Sequence, residues 1–216
     1  SNANINSNAN INSNANTIVE SSVTSREIDA AANNTSKQEN KNKDVEALTI
    51  NFYSSVTTET SMALTDLLRK LDVQSRELEI KYNCRIPIKL HIQSLGGELM
   101  PTFYVCDFIK NLGTPVHVYI DGYVASAASV IAVCGSKRYM TKHSTILVHQ
   151  LSSTTSGKFD EMKEEMSNLK LFMDNLKDIY LSNTNLNESE LEKLLSSDVW
   201  LPSSKCIELG LVDDIL

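Results

Sequence analysis

Apolar residues enter this chain late, and once they do they follow two alternating rhythms. Residues 1–46 show neither. The first sixteen read SNANINSNANINSNAN, a six-residue repeat, and the rest of the segment stays rich in Asn, Ser, Thr and Lys. With so little apolar surface to bury, such a segment does not offset the entropy of ordering it. It is expected to be a disordered or loosely attached tail. Its opening Ser-Asn-Ala also resembles what a cleaved expression tag leaves behind. Arg26 is its only arginine and acidic residues accompany it, which speaks against a transit peptide and leaves a removable propeptide open.

From Ala47 onward the pattern is that of one packed domain, 47–216. Leu48, Ile50 and Phe52 alternate with polar neighbours, as in a strand. Met62, Leu64, Leu67, Leu68, Leu71 and Leu78 recur at helical spacing, predicting a helix from Thr58 towards Tyr82. Whether the charged stretch 73–83 belongs to that helix stays open. A second strand is expected over 86–92, an amphipathic helix over 99–112 and a third strand over 115–120. A glycine turn at Gly122 then leads into a helix that starts at Ser126 and ends at Cys134-Gly135. Short strands follow at 138–140 and 145–148. Strands that alternate with helices in this way indicate an α/β fold with a largely parallel sheet.

A long helix is predicted over 158–181. Phe159, Met162, Met166, Leu169, Met173, Leu176 and Tyr180 lie three and four residues apart by turns, which makes a heptad seam. Such a seam either covers the protein's own core or faces another subunit. Asn187 with Glu190 forms a capping box for a short helix over 188–195. The chain closes on an apolar segment with a turn at Gly210.

Composition narrows the function classes. The chain has 216 residues, is 41% hydrophobic and carries a net charge of −7. That charge disfavours a nucleic-acid partner. The sequence has no run of about 18 apolar residues, so no membrane span is expected, and no signal-peptide pattern opens it. The four cysteines, Cys84, Cys106, Cys134 and Cys206, lack C-x-x-C spacing. A reducing compartment, cytoplasmic or an organelle interior, is the simpler expectation.

Chemistry concentrates in the stretch GYVASAASVIAVCGSKRYMTKHSTILVH, 122–149. Small residues surround Ser126 at an expected strand-to-helix turn, and a β-branched run delivers His149 at a strand end. A nucleophile at a sharp turn needs room for a carbonyl and for close backbone approach. The positive end of the following helix favours a developing oxyanion. The plainer alternative is a tightly packed helix with a stray serine. Gly96-Gly97, between a strand and a helix, exposes backbone N–H groups at the sheet edge where ligands bind in open α/β folds; a simple turn would read the same. Asp198, between a helix end and the only tryptophan, is a cap, a surface group or a partner for the histidine.

Taken in order, these motifs resemble a ClpP-type serine peptidase over 47–216. Gly122-Tyr-Val-Ala-Ser126, the alanine-rich helix, Lys137-Arg-Tyr139 and His149-Gln150 are similar to the family's G-x-x-A-S, K-R-Y and H-Q. Ser94-Leu-Gly-Gly97 is similar to S-P-G-G, Asp198-Val-Trp-Leu201 to D-R-F-L/M, and 208–213 to E-Y-G-L-V-D. The separations are family-like, with 23 positions from Ser126 to His149 and 49 from there to Asp198. The resemblance implies a ClpP/crotonase-like fold of repeated β-β-α units with a protruding handle helix, here 158–181. It implies Ser126 as nucleophile, His149 as general base and Asp198 as the acid that orients it. The N–H groups of Gly97 and Ala127 would form the oxyanion hole. It further implies stacked heptameric rings around a chamber, unfolded polypeptide substrates and an AAA+ unfoldase partner. No metal or cofactor is expected, ATP being used only by that partner.

The departures are local. Leu95 and Leu151 stand where the family has proline. The family's glycine-rich strand before the handle helix reads Ser152-Ser-Thr-Thr-Ser-Gly157. The segment ahead of Ile86 is longer than usual, and no axial-loop sequence is recognisable in 1–46. Ser129 is expected to pack inside and His143 to lie in a loop. Other readings compatible with the motifs are a non-catalytic ring subunit, a phage-type capsid maturation protease and a crotonase-type acyl-CoA enzyme.

Overall fold

The structure, a computed structural model, describes residues 37–44 and 46–216. The expected tail therefore lies mostly outside the described residues; within it, 37–44 are helical, and Asp44 accepts hydrogen bonds from Lys81 Nζ at 2.8 Å and Tyr82 Oη at 2.7 Å. The chain divides between Asn40 and Lys41 into two compact units, of which the second holds the sheet and the helices around it.

The elements of this second unit in chain order are β1 (Thr49–Phe52), α1 (Thr58–Tyr82), β2 (Ile88–Ser94), α2 (Leu99–Asn111), β3 (Val116–Ala125), α3 (Ala127–Val133), β4 (Lys137–Met140) and β5 (Thr145–Leu147). Next come α4 (Phe159–Asn183), α5 (Glu188–Leu195), β6 (Trp200–Pro202), α6 (Ser203–Glu208) and β7 (Asp214–Ile215). The main sheet runs β1-β2-β3-β4-β7, every neighbouring pair parallel. β5 pairs in parallel with the far end of β3 and antiparallel with β6, so a second, smaller ladder branches from the sheet's carboxyl edge. The alternating helices and parallel strands are those the periodicity predicts, because each β–α–β crossover must cover the apolar face of the sheet it leaves.

β2 shows how the pattern becomes packing. Ile88, Leu90, Ile92 and Ser94 point inward and are buried, while Lys89, His91 and Gln93 are half-exposed. Helix α3 differs from the others in having all seven of its residues buried. Its alanines permit this, since a helix packed on every side needs small residues where other backbones come close.

Helix α1 is continuous over 25 residues, so the charged stretch 73–83 is helical up to Tyr82. Leu64, Leu68, Leu71 and Leu78 face the core. Asp72 and Ser75 are also buried, and both have partners. Asp72 accepts from Thr114 N at 2.8 Å and pairs with Arg76, and Ser75 Oγ donates to Ile86 O at 2.5 Å. Asn83 ends the helix in the left-handed conformation at φ 52°, which asparagine tolerates better than most residues.

Two local expectations need correction. Gly122 is not a turn that ends the third strand: β3 runs on from Val116 to Ala125, and Gly122, at φ 87°, sits in an irregularity where Ile92 pairs with Ile120 but Ser94 pairs with Val124. Extra residues on one strand bulge outward and leave the ladder intact on either side. Second, β6 and α6 have no counterpart among the predicted elements, and β7 lies in the closing segment, 208–216, read only as apolar with a glycine turn. The glycine itself, Gly210, does turn the chain at φ 67°.

The heptad seam of α4 divides between both of its explanations. Leu176 and Tyr180 are buried in the protein's own core. Phe159, Met162 and Met166 are 79%, 43% and 65% exposed, so the amino-terminal half of the seam is uncovered within one subunit.

Candidate active site

Ser126 lies at the junction of β3 and α3. Its N–H donates to Leu147 O at 3.0 Å, and its own carbonyl accepts from Ser129 N at 2.9 Å and Val130 N at 3.3 Å. Held by these bonds, Ser126 adopts φ 55° and ψ −130°. A residue with a Cβ rarely takes positive φ, and such backbone conformations cluster at functional turns. The turn presents the serine at the amino end of a helix whose first N–H groups have no intrahelical acceptor.

His149 arrives by strand pairing. β5 lies beside the end of β3, with Ala125 opposite Leu147, so the residues that follow each strand emerge together. On its other side β5 pairs antiparallel with β6, Leu147 facing Trp200. Continuing that register by two residues sets His149 opposite Asp198. Gln150 N also donates to Leu195 O at 2.9 Å, which ties the histidine segment to the end of α5. The result is a separation of 3.6 Å between His149 Nδ1 and Asp198 Oδ1. That is an ion-pair distance for a protonated ring and longer than a hydrogen bond. The Asp198 side chain is 82% exposed and that of His149 28%.

Gly96 and Gly97 complete the edge, and both must be glycine. Gly96 has φ 96°, and a Cβ there would lie 2.8 Å from Ser126 Cβ and 2.9 Å from Ala127 N. At Gly97, φ 153°, a Cβ would lie 2.0 Å from Val56 O. Val56 N donates to Gly96 O at 2.9 Å and Glu98 N donates to Val56 O at 2.8 Å, so Val56 bridges Gly97 in parallel fashion. Such a bridge uses the groups of the flanking residues and turns the N–H of Gly97 to the opposite side. Glu98 accepts from Thr58 N and Thr58 Oγ1 at 3.1 and 2.9 Å, pinning the loop to the start of α1.

A cleft of about 470 Å³ results, bordered by Gly97, Ser126, Ala127 and His149, with Leu169 and Phe172 of α4 forming one wall. Of the five residues expected to act together, the structure brings these four to one cleft. Among the described residues, Asp198 meets the set only through His149. Among the described residues, no hydrogen bond joins Ser126 Oγ to His149.

The family model for Clp protease matches residues 32–216. The chain belongs to the Clp protease family. It is 30% identical over 169 residues to the ATP-dependent Clp protease proteolytic subunit 1 of Chlamydia trachomatis serovar D, covering 76% of this chain and 84% of that one. It is 31% identical over 134 residues to the subunit of the same name from Protochlamydia amoebophila, covering 60% of this chain and 65% of that one, just under two thirds of that relative's length. A solved structure, that of a ClpP1 mutant from Listeria monocytogenes, superposes with a TM-score of 0.68 at 21% identity, over 82% of this chain and 95% of that one. The ClpP fold expected from the motifs is thus the fold of this member of the family.

One part of the site has no counterpart in the sequence motifs. Ser129, one helical turn after Ser126, is fully buried as expected, but it is not idle. Its hydroxyl lies 2.6 Å from Ser126 O, 3.2 Å from Leu147 O and 2.6 Å from the phenol of Tyr180. Tyr180 belongs to α4, so this small network fastens the long helix to the turn that carries Ser126. Burial pushes the Tyr180 phenol well above its ordinary range, against a smaller opposing effect of the Ser129 hydrogen bond, and it stays a proton donor at any working pH. The only available signal was the serine-tyrosine pair itself, and nothing in sequence links positions 51 residues apart.

Proposed function

We propose that this chain is a serine endopeptidase subunit that hydrolyses peptide bonds of unfolded polypeptides. Ser126 Oγ attacks the substrate carbonyl carbon while its proton passes to His149. The tetrahedral oxyanion is received by the N–H groups of Gly97 and Ala127. His149 then returns the proton to the leaving amine as the C–N bond breaks, and water repeats the sequence on the acyl-enzyme. Asp198 orients the imidazole and stabilises its charged form. Everything in this scheme is a side chain or a backbone amide, and ATP is consumed only by an AAA+ unfoldase that delivers substrate. The active form is a ring-shaped oligomer of stacked heptamers, whose ring-to-ring contact uses the uncovered half of the α4 seam.

The observation that carries this reading is Ser126 at φ 55° on a helix amino end, in one cleft with His149, Gly97 and Ala127. The test is labelling of the full chain with a fluorophosphonate, read by intact mass. Wild type is expected to gain one adduct and Ser126→Ala none. A second reading, a ring subunit without catalysis, draws on the 3.6 Å gap and the 82% exposure of Asp198. An assembled ring that takes no adduct would establish that reading and overturn the first.

A further inference from the structure

The wall of the cleft formed by α4 has an unusual gradient. Leu176, Phe172, Leu169 and Glu165 are spaced four, three and four residues apart and all line the cleft, so they occupy one face of the helix. Leu176 is buried, Phe172 and Leu169 are half-buried, and Glu165 is half-buried among exposed neighbours. The face thus runs from a closed apolar floor to a carboxylate at its outer end, over about 16 Å at 1.5 Å per residue. Met100 and Pro101 supply apolar surface from α2.

The cleft's charges are one-sided. Among the described residues, its lining contains two carboxylates, Glu98 and Glu165, and neither lysine nor arginine. Glu98 is occupied by Thr58. Glu165 has no hydrogen-bond or ion-pair partner among the described residues. A half-buried, unpaired carboxylate next to apolar surface is a poor neighbour for a purely aliphatic side chain, which would strip its water and return nothing. A long side chain with an apolar stem and a cationic head satisfies both parts, the stem against Leu169 and Phe172 and the head on Glu165.

We infer that Glu165 is a specificity-determining residue that directs this site to substrates with lysine or arginine next to the scissile bond. The inference rests on the peptidase reading above. It differs from a merely solvated surface glutamate in what it requires: discrimination by charge and not by length.

Lysine and norleucine have nearly the same stem and differ in the ammonium group, so they isolate that requirement. The probes are two peptidyl diphenyl phosphonates that carry one or the other side chain at the reacting position, applied to the full assembled chain. Ser126 Oγ forms the new P–O bond, and one phenol leaves with the proton taken from the serine. The rate of adduct formation is read by intact mass. Hydrogen bonds to charged groups are worth enough to make the lysine probe about 10- to 100-fold faster. That ratio should shrink in about 1 M salt, because screening acts on the exposed end of the pair. It should fall close to one in Glu165→Gln and reverse towards a glutamate-bearing probe in Glu165→Lys. Adducts at Ser126 with equal rates, or with norleucine faster, would overturn the specificity while leaving the peptidase intact. No adduct with either probe or with a fluorophosphonate would overturn the peptidase reading, and this inference with it.

Discussion

The Ser129–Tyr180 pair offers a quantitative test of how the long helix is joined to the turn that carries Ser126. Both side chains are buried, at 0% and 1% exposure. Ser129 has a single hydroxyl proton, and Ser126 O at 2.6 Å is a nearer acceptor than Leu147 O at 3.2 Å. The proton of Tyr180 is then the one that spans the 2.6 Å to Ser129 Oγ. In Ser129→Ala the two carbonyls keep other donors, Ser126 O from Ser129 N and Leu147 O from Ser126 N. The Tyr180 hydroxyl is left buried without a partner, and such an orphan costs about 1–3 kcal/mol. Tyr180→Phe removes the orphan instead of creating it and should cost about 0.5–1.5 kcal/mol. The double variant, with no unmet polar group, should be less destabilised than the sum of the two, with a coupling of about 1 kcal/mol or more. Urea unfolding at one fixed protein concentration measures this, since assembly contributes to apparent stability. Additive losses, with coupling near zero, would refute the reasoning. Activity provides an independent reading. If the network positions Ser126, Tyr180→Phe should lower kcat with little change in KM, and Ser126→Ala should erase the difference between the backgrounds.

Two further expectations concern assembly and acid. Met166→Glu, at a position 65% exposed, should leave the stability of the protomer within about 0.5 kcal/mol of wild type but reduce the sedimentation coefficient if this face joins two rings as proposed. Leu176→Glu, in the buried half of the same seam, should unfold the subunit, and an equal effect of both on folding would show the whole seam to be core. Arg138 pairs with Asp213, Nη2 to Oδ1 at 2.6 Å, and donates also to Asn183 O. Burial raises the Asp213 carboxyl, but Arg138's hydrogen bonds and charge prevail and hold it below the usual carboxylate range. A depressed acid stabilises the fold above its unfolded pKa of about 3.9 and loses that contribution as pH falls through the lower folded value. The melting-temperature gap between wild type and Arg138→Leu should therefore be constant above about pH 5 and narrow towards about pH 2, without closing entirely because the Asn183 bond does not titrate. A flat gap would remove Asp213 from the acid response.

How much of the site was legible in sequence depends on how far apart its determinants lie along the chain. Ser126 and Gly97 each sit at the end of a parallel strand just before a helix. Small residues and paired glycines mark such junctions locally, and a parallel sheet brings them to one edge automatically. The bulge at Gly122 was illegible because the same glycine signals a turn or a bulge, and only pairing with β2 decides between them. The relation of His149 to Asp198 was harder still. It depends on an antiparallel pair whose second strand is the tripeptide Trp200–Pro202, too short to show alternation and ended by a residue that cannot donate to a ladder. Motif order suggested the pairing, and the register of β5 on β6 supplies its cause. The register sets the two residues opposite one another but does not fix the 3.6 Å gap. Both residues lie beyond the last hydrogen-bonded pair, His149 at the end of one strand and Asp198 on an exposed approach to the other. Their separation is therefore set by side-chain torsions and not by the ladder, and a rotation of the exposed carboxylate can shorten it without moving the sheet. Catalytic hydrogen bonds commonly tighten only when substrate arrives. Asp198→Asn thus tests whether the aspartate takes part in turnover: a large loss of kcat with unchanged stability means that the contact closes during turnover, and no loss of kcat means that the aspartate remains a surface residue.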